Sequence, residues 1–158
     1  SQIDSEIIFE WSNLECPYVK RHYGSNNMQT TQKFAKSKNV IWITVISSAE
    51  GKQGYIQPND AVNTFASFGS FPDHILVDEN GDLGKKFNAK TTPHIFIADK
   101  NKNIVYQGAI DDAGGSRFWT TDLNQSTNFV KKVINDIKSN KPLSVSKTRP
   151  YGCSVKYG

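Results

Sequence analysis

The sequence is poor in cysteine: Cys16 stands near one end and Cys153 near the other. Two cysteines so placed make neither the framework of a small disulfide-stapled scaffold nor the clustered pairs that hold zinc. A single long-range thiol pair is left as an open reading. Long apolar runs are missing as well; nothing approaches the ~20 residues needed to cross a bilayer, so no membrane span is expected. The opening SQIDSEIIFEW has no basic stretch leading into an apolar one, and no secretion signal is visible in it. Charge is not concentrated. The 19 Lys plus Arg against 15 Asp plus Glu leave a formal +4, but the lysines are scattered, so no nucleic-acid partner is expected. The motifs of the commonest nucleotide, hydrolase and zinc-protease sites do not occur: no G-x-x-x-x-G-K before Ser or Thr, no G-x-S-x-G and no H-E-x-x-H.

What is present is the composition of a folded domain. With 158 residues, 37% hydrophobic and 22% charged, the chain is long enough for one full-size core. Ile7 to Trp11 is short, apolar and β-prone, and reads as a buried strand running into the turn residues Ser12 and Asn13. Pro17 follows Cys16. Proline suits the first helical position because an N–H there has no intrahelical acceptor, so a helix begins at Pro17. Gly24 to Asn27 interrupts it, and residues 17 to 38 make a two-part helix with Phe34 and Ala35 facing inward. Val40 to Ile46 (VIWITVI) has the pattern of a strand covered on both faces of a parallel sheet. Strand, helix and strand in that order form a βαβ unit with a right-handed crossover.

Further on, Asp60 to Phe68 reads as a short helix with Val62, Phe65 and Ala66 inside, His74 to Val77 as a strand, and Leu83 to Phe87 as a short helix. Ile95 to Ala98 and Ile104 to Ala109 flank the polar Asp99 to Asn103, which makes an antiparallel hairpin and hence a mixed sheet. Asn124 to Lys138 is an amphipathic helix with Phe129, Val130, Val133, Ile134 and Ile137 on one side. The expected organisation is α/β: a central mixed sheet flanked by helices over residues 1–140, then an irregular tail over 141–158 packing on or near it.

The chemistry points to Cys16. A cysteine after a strand and a turn, followed by proline and a helix, lies where helical N–H groups and the helix dipole favour thiolate over thiol. Lys20 and Arg21 add cationic charge within about a turn. On these residues WSNLECPYVKRHY resembles the active-site segment of the thioredoxin-like superfamily, in the redoxin branch that includes peroxiredoxins of the alkyl hydroperoxide reductase and thiol-specific antioxidant type. FPDHILVDENGDLGKKFNAKTTPHIFIADKNKNIVYQGAI, residues 71–110, is similar to the stretch of those families that runs from a strand through a short helix to Thr-Pro and a hairpin. RPYGCSVKY resembles the C-terminal end of the peroxiredoxin-like group.

The resemblance implies a thioredoxin-like fold, a cis bond between Thr92 and Pro93, that dipeptide packed beside the reactive cysteine, and thiol redox chemistry with no prosthetic group. The chain also departs from its relatives. Val19 stands where C-x-x-C has its second cysteine, so no local disulfide can form. Asn13 and Phe9 stand at the positions before Cys16 where peroxiredoxins carry Thr or Ser and Pro. Redoxin domains usually have more chain before the first core strand, which implies trimming here.

Three functions compete on these residues. As a thiol-disulfide oxidoreductase, the protein would use Cys16 as nucleophile and Cys153 as resolving thiol. Thr92, Pro93, Pro17 and Trp11 would border the substrate, and Arg21 would stabilise the thiolate. As a thiol peroxidase it would cycle Cys16 through sulfenic acid. As a non-catalytic module it would keep the groove around Pro93 to hold a partner strand, a reading motivated by the missing C-x-x-C. The partners implied are a protein disulfide or a peroxide as substrate and a thiol reductant such as a thioredoxin-type protein. A stable disulfide favours an oxidising compartment such as a bacterial periplasm, with the cytoplasm as the alternative.

Other side chains carry two readings each. His94, right after Pro93, and His22 are catalytic bases or structural residues; Trp11 shields the cysteine or packs in the core. Cys153, in a turn fixed by Tyr151 and Gly152, resolves or simply packs. Asp78 to Asp82 faintly resembles a calcium loop but lacks the later ligands and is a turn. Asp111 and Asp112 have no ligand cluster beside them, so a loop or cap role is expected and no metal.

Overall fold

The computed structural model describes residues 4–158. Strands β1 (Ile7–Trp11), β2 (Ile41–Ile46) and β3 (His74–Val77) run parallel, and β5 (His94–Ala98) and β6 (Ile104–Gly108) are added antiparallel, giving the sheet order β3-β2-β1-β5-β6. This is the mixed sheet read from the sequence. Among the described residues five α-helices accompany it: α1 (Pro17–Gly24), α2 (Asn27–Ser37), α3 (Ala61–Ser67), α4 (Asp82–Phe87) and α5 (Phe129–Lys138). Between α1 and α2, Asn26 takes a left-handed conformation with φ of 65°, which asparagine tolerates better than most residues. The two-part helix is therefore real.

Two local readings are corrected. Val62 is 67% exposed, and Ala66 is exposed as well; α3 buries only Ala61 and Phe65, the i and i+4 positions of one narrow face. The last helix starts at Phe129 instead of Asn124. Asn128 caps it, its side-chain oxygen accepting from Lys131 N–H at 3.0 Å, and Leu123–Gln125 forms a separate 3-10 turn.

The core has two parts because strand side chains alternate between faces. On one side, Ile8, Ile46, Ile95 and Ile97 pack with Cys16, Val19, Tyr23, Met28 and the α5 residues Val130, Val133 and Ile134. On the other, Ile7, Trp11, Ile43, Val45 and Phe96 pack together with Phe9 and Phe87.

The tail is irregular but pinned along its length. Thr148 N–H donates to the Gln107 carbonyl at 3.0 Å, Val155 N–H to the Lys90 carbonyl at 3.1 Å, and Ala49 N–H to the Lys156 carbonyl at 2.9 Å. Its one regular piece, β7 (Cys153–Ser154), pairs antiparallel with β4 (Thr91–Thr92). No helix among the described residues is long and apolar enough to cross a membrane.

Candidate functional site

Cys16 sits at the N-cap of α1, with extended backbone (φ −75°, ψ 126°) and Pro17 directly after it. Its N–H donates to the Asn13 carbonyl at 3.0 Å, closing the turn from β1, and its carbonyl accepts from Lys20 N–H at 2.9 Å. The N–H groups of Tyr18 and Val19, in the first helical turn, have no acceptor within the helix. They and the dipole give a sulfur at this position a partly positive setting. Cys16 itself is fully buried.

Across from it lies Cys153. The two are joined as a disulfide over a separation of 137 residues, with Cα atoms 6.2 Å apart. Pairing of β7 with β4 places Cys153 opposite Thr92, and Cys16 Sγ lies 3.3 Å from the Thr92 carbonyl oxygen. The Thr92–Pro93 peptide is cis. Thr92 and Pro93 are both buried, and the Thr92 hydroxyl has no hydrogen-bond partner among the described residues. Gly152 lets the tail come this close: its φ is 146°, and a Cβ there would collide with the Thr92 carbonyl. Cys153 is only partly buried, and a cleft of about 640 Å³ opens beside it, bordered by Tyr18, Thr91, Arg149, Tyr151 and Gly152.

The structure therefore brings together Cys16, Cys153, Thr92 and Pro93, with Pro17 exposed next to Cys16. Two expected neighbours are elsewhere. Trp11 is fully buried on the other face of the sheet, against Phe87 and Phe96, with its indole N–H donating to Ser47 Oγ at 3.0 Å. It packs in a different core cluster from Cys16. Arg21 turns its guanidinium to the Thr121 carbonyl at 2.7 Å and over the Phe118 ring at 4.9 Å. Five residues along a helix of 3.6 per turn point a side chain well away from the starting position, so closeness in sequence to Cys16 does not become contact.

His94 is structural. It lies on the Phe96 face of β5, stacked on that ring at 4.4 Å, and its Nδ1 accepts from Lys90 N–H at 3.1 Å. Burial and the Lys90 charge push its pKa down to about 4.

Two buried polar assemblies were not legible as such. Glu10, fully buried in β1, accepts from Trp42 Nε1 at 3.0 Å, Thr44 Oγ1 at 2.9 Å and the Tyr23 hydroxyl at 2.8 Å. Burial raises its pKa despite these donors. A carboxylate inside the apolar run IIFEW, at a position whose strand neighbours face the core, was the available signal. The second assembly joins His22, Asn27, Asp111 and Tyr151 by hydrogen bonds. Asp111 thus serves as a buried acceptor, and no group of three or more His, Cys, Asp or Glu able to hold a metal occurs among the described residues. Asp78 is a turn residue whose carboxylate accepts from the Leu83 and Gly84 N–H groups at the start of α4.

Comparison with known proteins bears on the fold and the family. A search of the curated proteins finds no match. Among solved structures, the chain is similar to an uncharacterized conserved protein from Geobacillus kaustophilus, with 19% identity, 98% of this chain and 78% of that one covered, and a TM-score of 0.78. A hypothetical protein from Sinorhizobium meliloti is alike at 17% identity, 98% and 81% coverage and a TM-score of 0.77. A thioredoxin-like protein from Aeropyrum pernix matches at 23% identity, 67% and 70% coverage and a TM-score of 0.51. These likenesses establish the thioredoxin-like fold. The Redoxin family model matches residues 5–120, from just before β1 through the sheet and into the loop beyond it, and the chain belongs to the Redoxin family.

Proposed function

We propose that this protein is a thiol-disulfide oxidoreductase whose working couple is Cys16 and Cys153. The observation that carries the reading is the pairing of two cysteines from opposite ends of the chain, one of them at the N-terminus of α1 and next to Thr92. In the dithiol form, the Cys16 thiolate attacks one sulfur of a substrate disulfide and the other sulfur leaves as thiolate. The Cys153 thiolate then attacks Cys16 Sγ, closing the protein disulfide and releasing the substrate as dithiol. The cycle is completed by a thiol reductant of the thioredoxin type. Cys153 is the less buried residue of the pair, so the reductant attacks there, and Cys16 leaves as the thiolate that the helix terminus stabilises. The segment 141–158 then serves as a redox arm added to the domain of residues 1–140. A lasting disulfide fits an oxidising compartment such as a bacterial periplasm.

Peroxide reduction is the second reading: a guanidinium beside Cys16 would polarise a peroxide as well as stabilise the thiolate, and Arg21 is turned instead to Thr121 and Phe118. The test is to treat fully reduced protein separately with a protein disulfide and with one equivalent of hydrogen peroxide, then count alkylatable thiols by intact mass. Loss of both thiols with the disulfide alone, and a Cys16–Cys153 linked peptide on digestion, is the expected result. Both thiols persisting after the disulfide, while peroxide consumes them, would replace this reading with the peroxidase.

A further inference from the structure

We propose that Tyr151 is a positioning residue for the redox pair: its hydroxyl closes a ring of hydrogen bonds with Asp111, Asn27 and His22 and so holds Cys153 facing Cys16 whether or not the disulfide is formed. The inference rests on reading Cys16 and Cys153 as a redox couple and adds the element that keeps the two thiols together between oxidations.

The ring is complete in donors and acceptors. The Asn27 amide has two hydrogens, one directed to His22 Nδ1 at 3.0 Å and the other to Asp111 Oδ2 at 3.1 Å. With Nδ1 an acceptor, the neutral imidazole carries its proton on Nε2, which donates to the Tyr151 oxygen at 3.2 Å. The Tyr151 hydroxyl in turn donates to Asp111 Oδ1, which also accepts from Ala113 N–H at 3.1 Å. Burial and the nearby Arg21 charge hold His22 at a pKa of about 3, so it stays neutral, as the ring requires. His22, Asn27 and Asp111 are buried, and removal of any donor leaves a buried acceptor short. Phe118 seals the ring, its centroid 5.5 Å from His22 and 5.3 Å from Tyr151. The tyrosine ring lies flush on backbone at Gly114, where a Cβ would come within 2.7 Å of it.

The members come from three places that matter to the couple. His22 belongs to α1, whose N-cap is Cys16; Asp111 follows β6; Tyr151 lies on the tail two residues before Cys153. A second tie between the cysteine-bearing segments therefore stands beside the disulfide. Past Cys153 the tail is again fixed by Val155 N–H on the Lys90 carbonyl at 3.1 Å. Neither tie runs through the S–S bond.

The test uses Tyr151→Phe, which removes one oxygen and keeps the ring packed. Reduced protein is equilibrated with oxidised glutathione: two protein thiols and one glutathione disulfide become one protein disulfide and two glutathione thiols. Losing the hydroxyl lets the reduced tail spend more time away from Cys16, so the variant's equilibrium constant for closure is expected to fall, by at most about fivefold, the worth of roughly one hydrogen bond, whereas Tyr55→Phe, far along the chain on Glu79, leaves it unchanged. In a Cys16→Ser background no disulfide can form, and there Tyr151→Phe is expected to speed alkylation of Cys153 by iodoacetamide severalfold. A glutathione equilibrium that stays at the wild-type value, or a Cys153 that reacts equally fast with and without the tyrosine hydroxyl, overturns the proposal. If wild-type protein fails to exchange with protein disulfides while both shifts appear, the oxidoreductase reading falls and the positioning role stands.

Discussion

Cys16 lies in regular structure, between a five-residue strand and a helix that it caps, and is fully buried in the larger core cluster. Cys153 lies on an irregular tail with two residues in a strand, is partly exposed, and is placed by close contacts at Gly152 and hydrogen bonds at Tyr151 and Val155. The backbone periodicity that builds the sheet fixes the first sulfur. Contacts between distant segments, backbone at Gly152 and Val155 and side chain at Tyr151, fix the second. On the proposed reading, a couple made this way separates two demands: the fold supplies a sulfur with a favourable setting for thiolate, and the tail supplies its partner without disturbing the fold.

The hardest break falls on the regular side. Replacing Cys16 by Ser removes the proposed nucleophile and leaves Cys153 alone, so exchange with a protein disulfide is expected to stop, while the fold persists because serine fits the N-cap of α1. Full turnover by this variant, followed as release of substrate thiols, would sink the oxidoreductase reading. On the tail side the largest effect is expected from Gly152→Ala. With φ at 146° and a Cβ directed into the Thr92 carbonyl, the substitution should cost about 1–3 kcal/mol and peel β7 from β4. Urea unfolding of the oxidised protein gives that cost. An alanine variant that matches wild type in stability and in disulfide closure would show that the tail adapts, and that the two sulfurs are not as differently held as the contacts imply.

The contrast also explains what the sequence revealed. β1, α1 and β2 were legible from periodicity and from Pro17, and with them the position of Cys16, because those signals are local. Of the two readings of Trp11, core packing is the one strand alternation favours: in a strand it must share a face with Phe9 and oppose Ile8 and Glu10, and Cys16 packs on the Ile8 side. Arg21 points to Thr121 and Phe118 for the helical counterpart of the same reason. The course of the tail was legible only as a resemblance at RPYGCSVKY, since Thr148, Tyr151 and Val155 act through non-local hydrogen bonds that leave no period. His22 and Asp111 were visible singly, but nothing in one sequence says that Asn27 and Tyr151 complete their ring.

Acid provides a finer probe of that ring. A histidine whose pKa is depressed on folding binds fewer protons folded than unfolded. The stability it contributes is whole above the ordinary value of 6.5 and is lost as pH falls toward the folded value, about 3 for His22 and about 4 for His94. Glu10 and Asp111, both raised by burial, act in the opposite sense, with stability greatest below their ordinary range and falling as pH rises through their raised values. The whole-protein curve mixes these contributions, so the informative quantity is the difference between wild type and His22→Gln. Wild type's advantage is expected to shrink as pH falls from 6.5 toward 5, by up to ~1.4 kcal/mol per pH unit. Urea midpoints measured at both ends of that range check it. Parallel curves would mean that His22 takes up its proton in the folded protein and that the ring does not need it neutral.

The smallest effect should come from the tail's other anchor, and it tests whether position along the tail matters. The Thr148 oxygen accepts from Ala109 N–H at 2.9 Å and its hydroxyl is 2.6 Å from that of Tyr106, which itself donates to the Ala109 carbonyl at 2.6 Å. The approach is close enough that Gly108, at φ 146°, has no room for a Cβ beside Thr148. Thr148→Val keeps the shape and leaves Ala109 N–H without its acceptor, so the protein should lose about 1 kcal/mol of stability. Thr148 stands on the β6 side of Tyr151, however, with the ring between it and Cys153. If the ring alone sets the separation of the two thiols, the glutathione equilibrium of Thr148→Val stays near wild type although its urea midpoint falls. An equilibrium shift as large as that of Tyr151→Phe would instead make the tail one cooperative unit, fixed to the sheet as a whole and not at the residue nearest its cysteine.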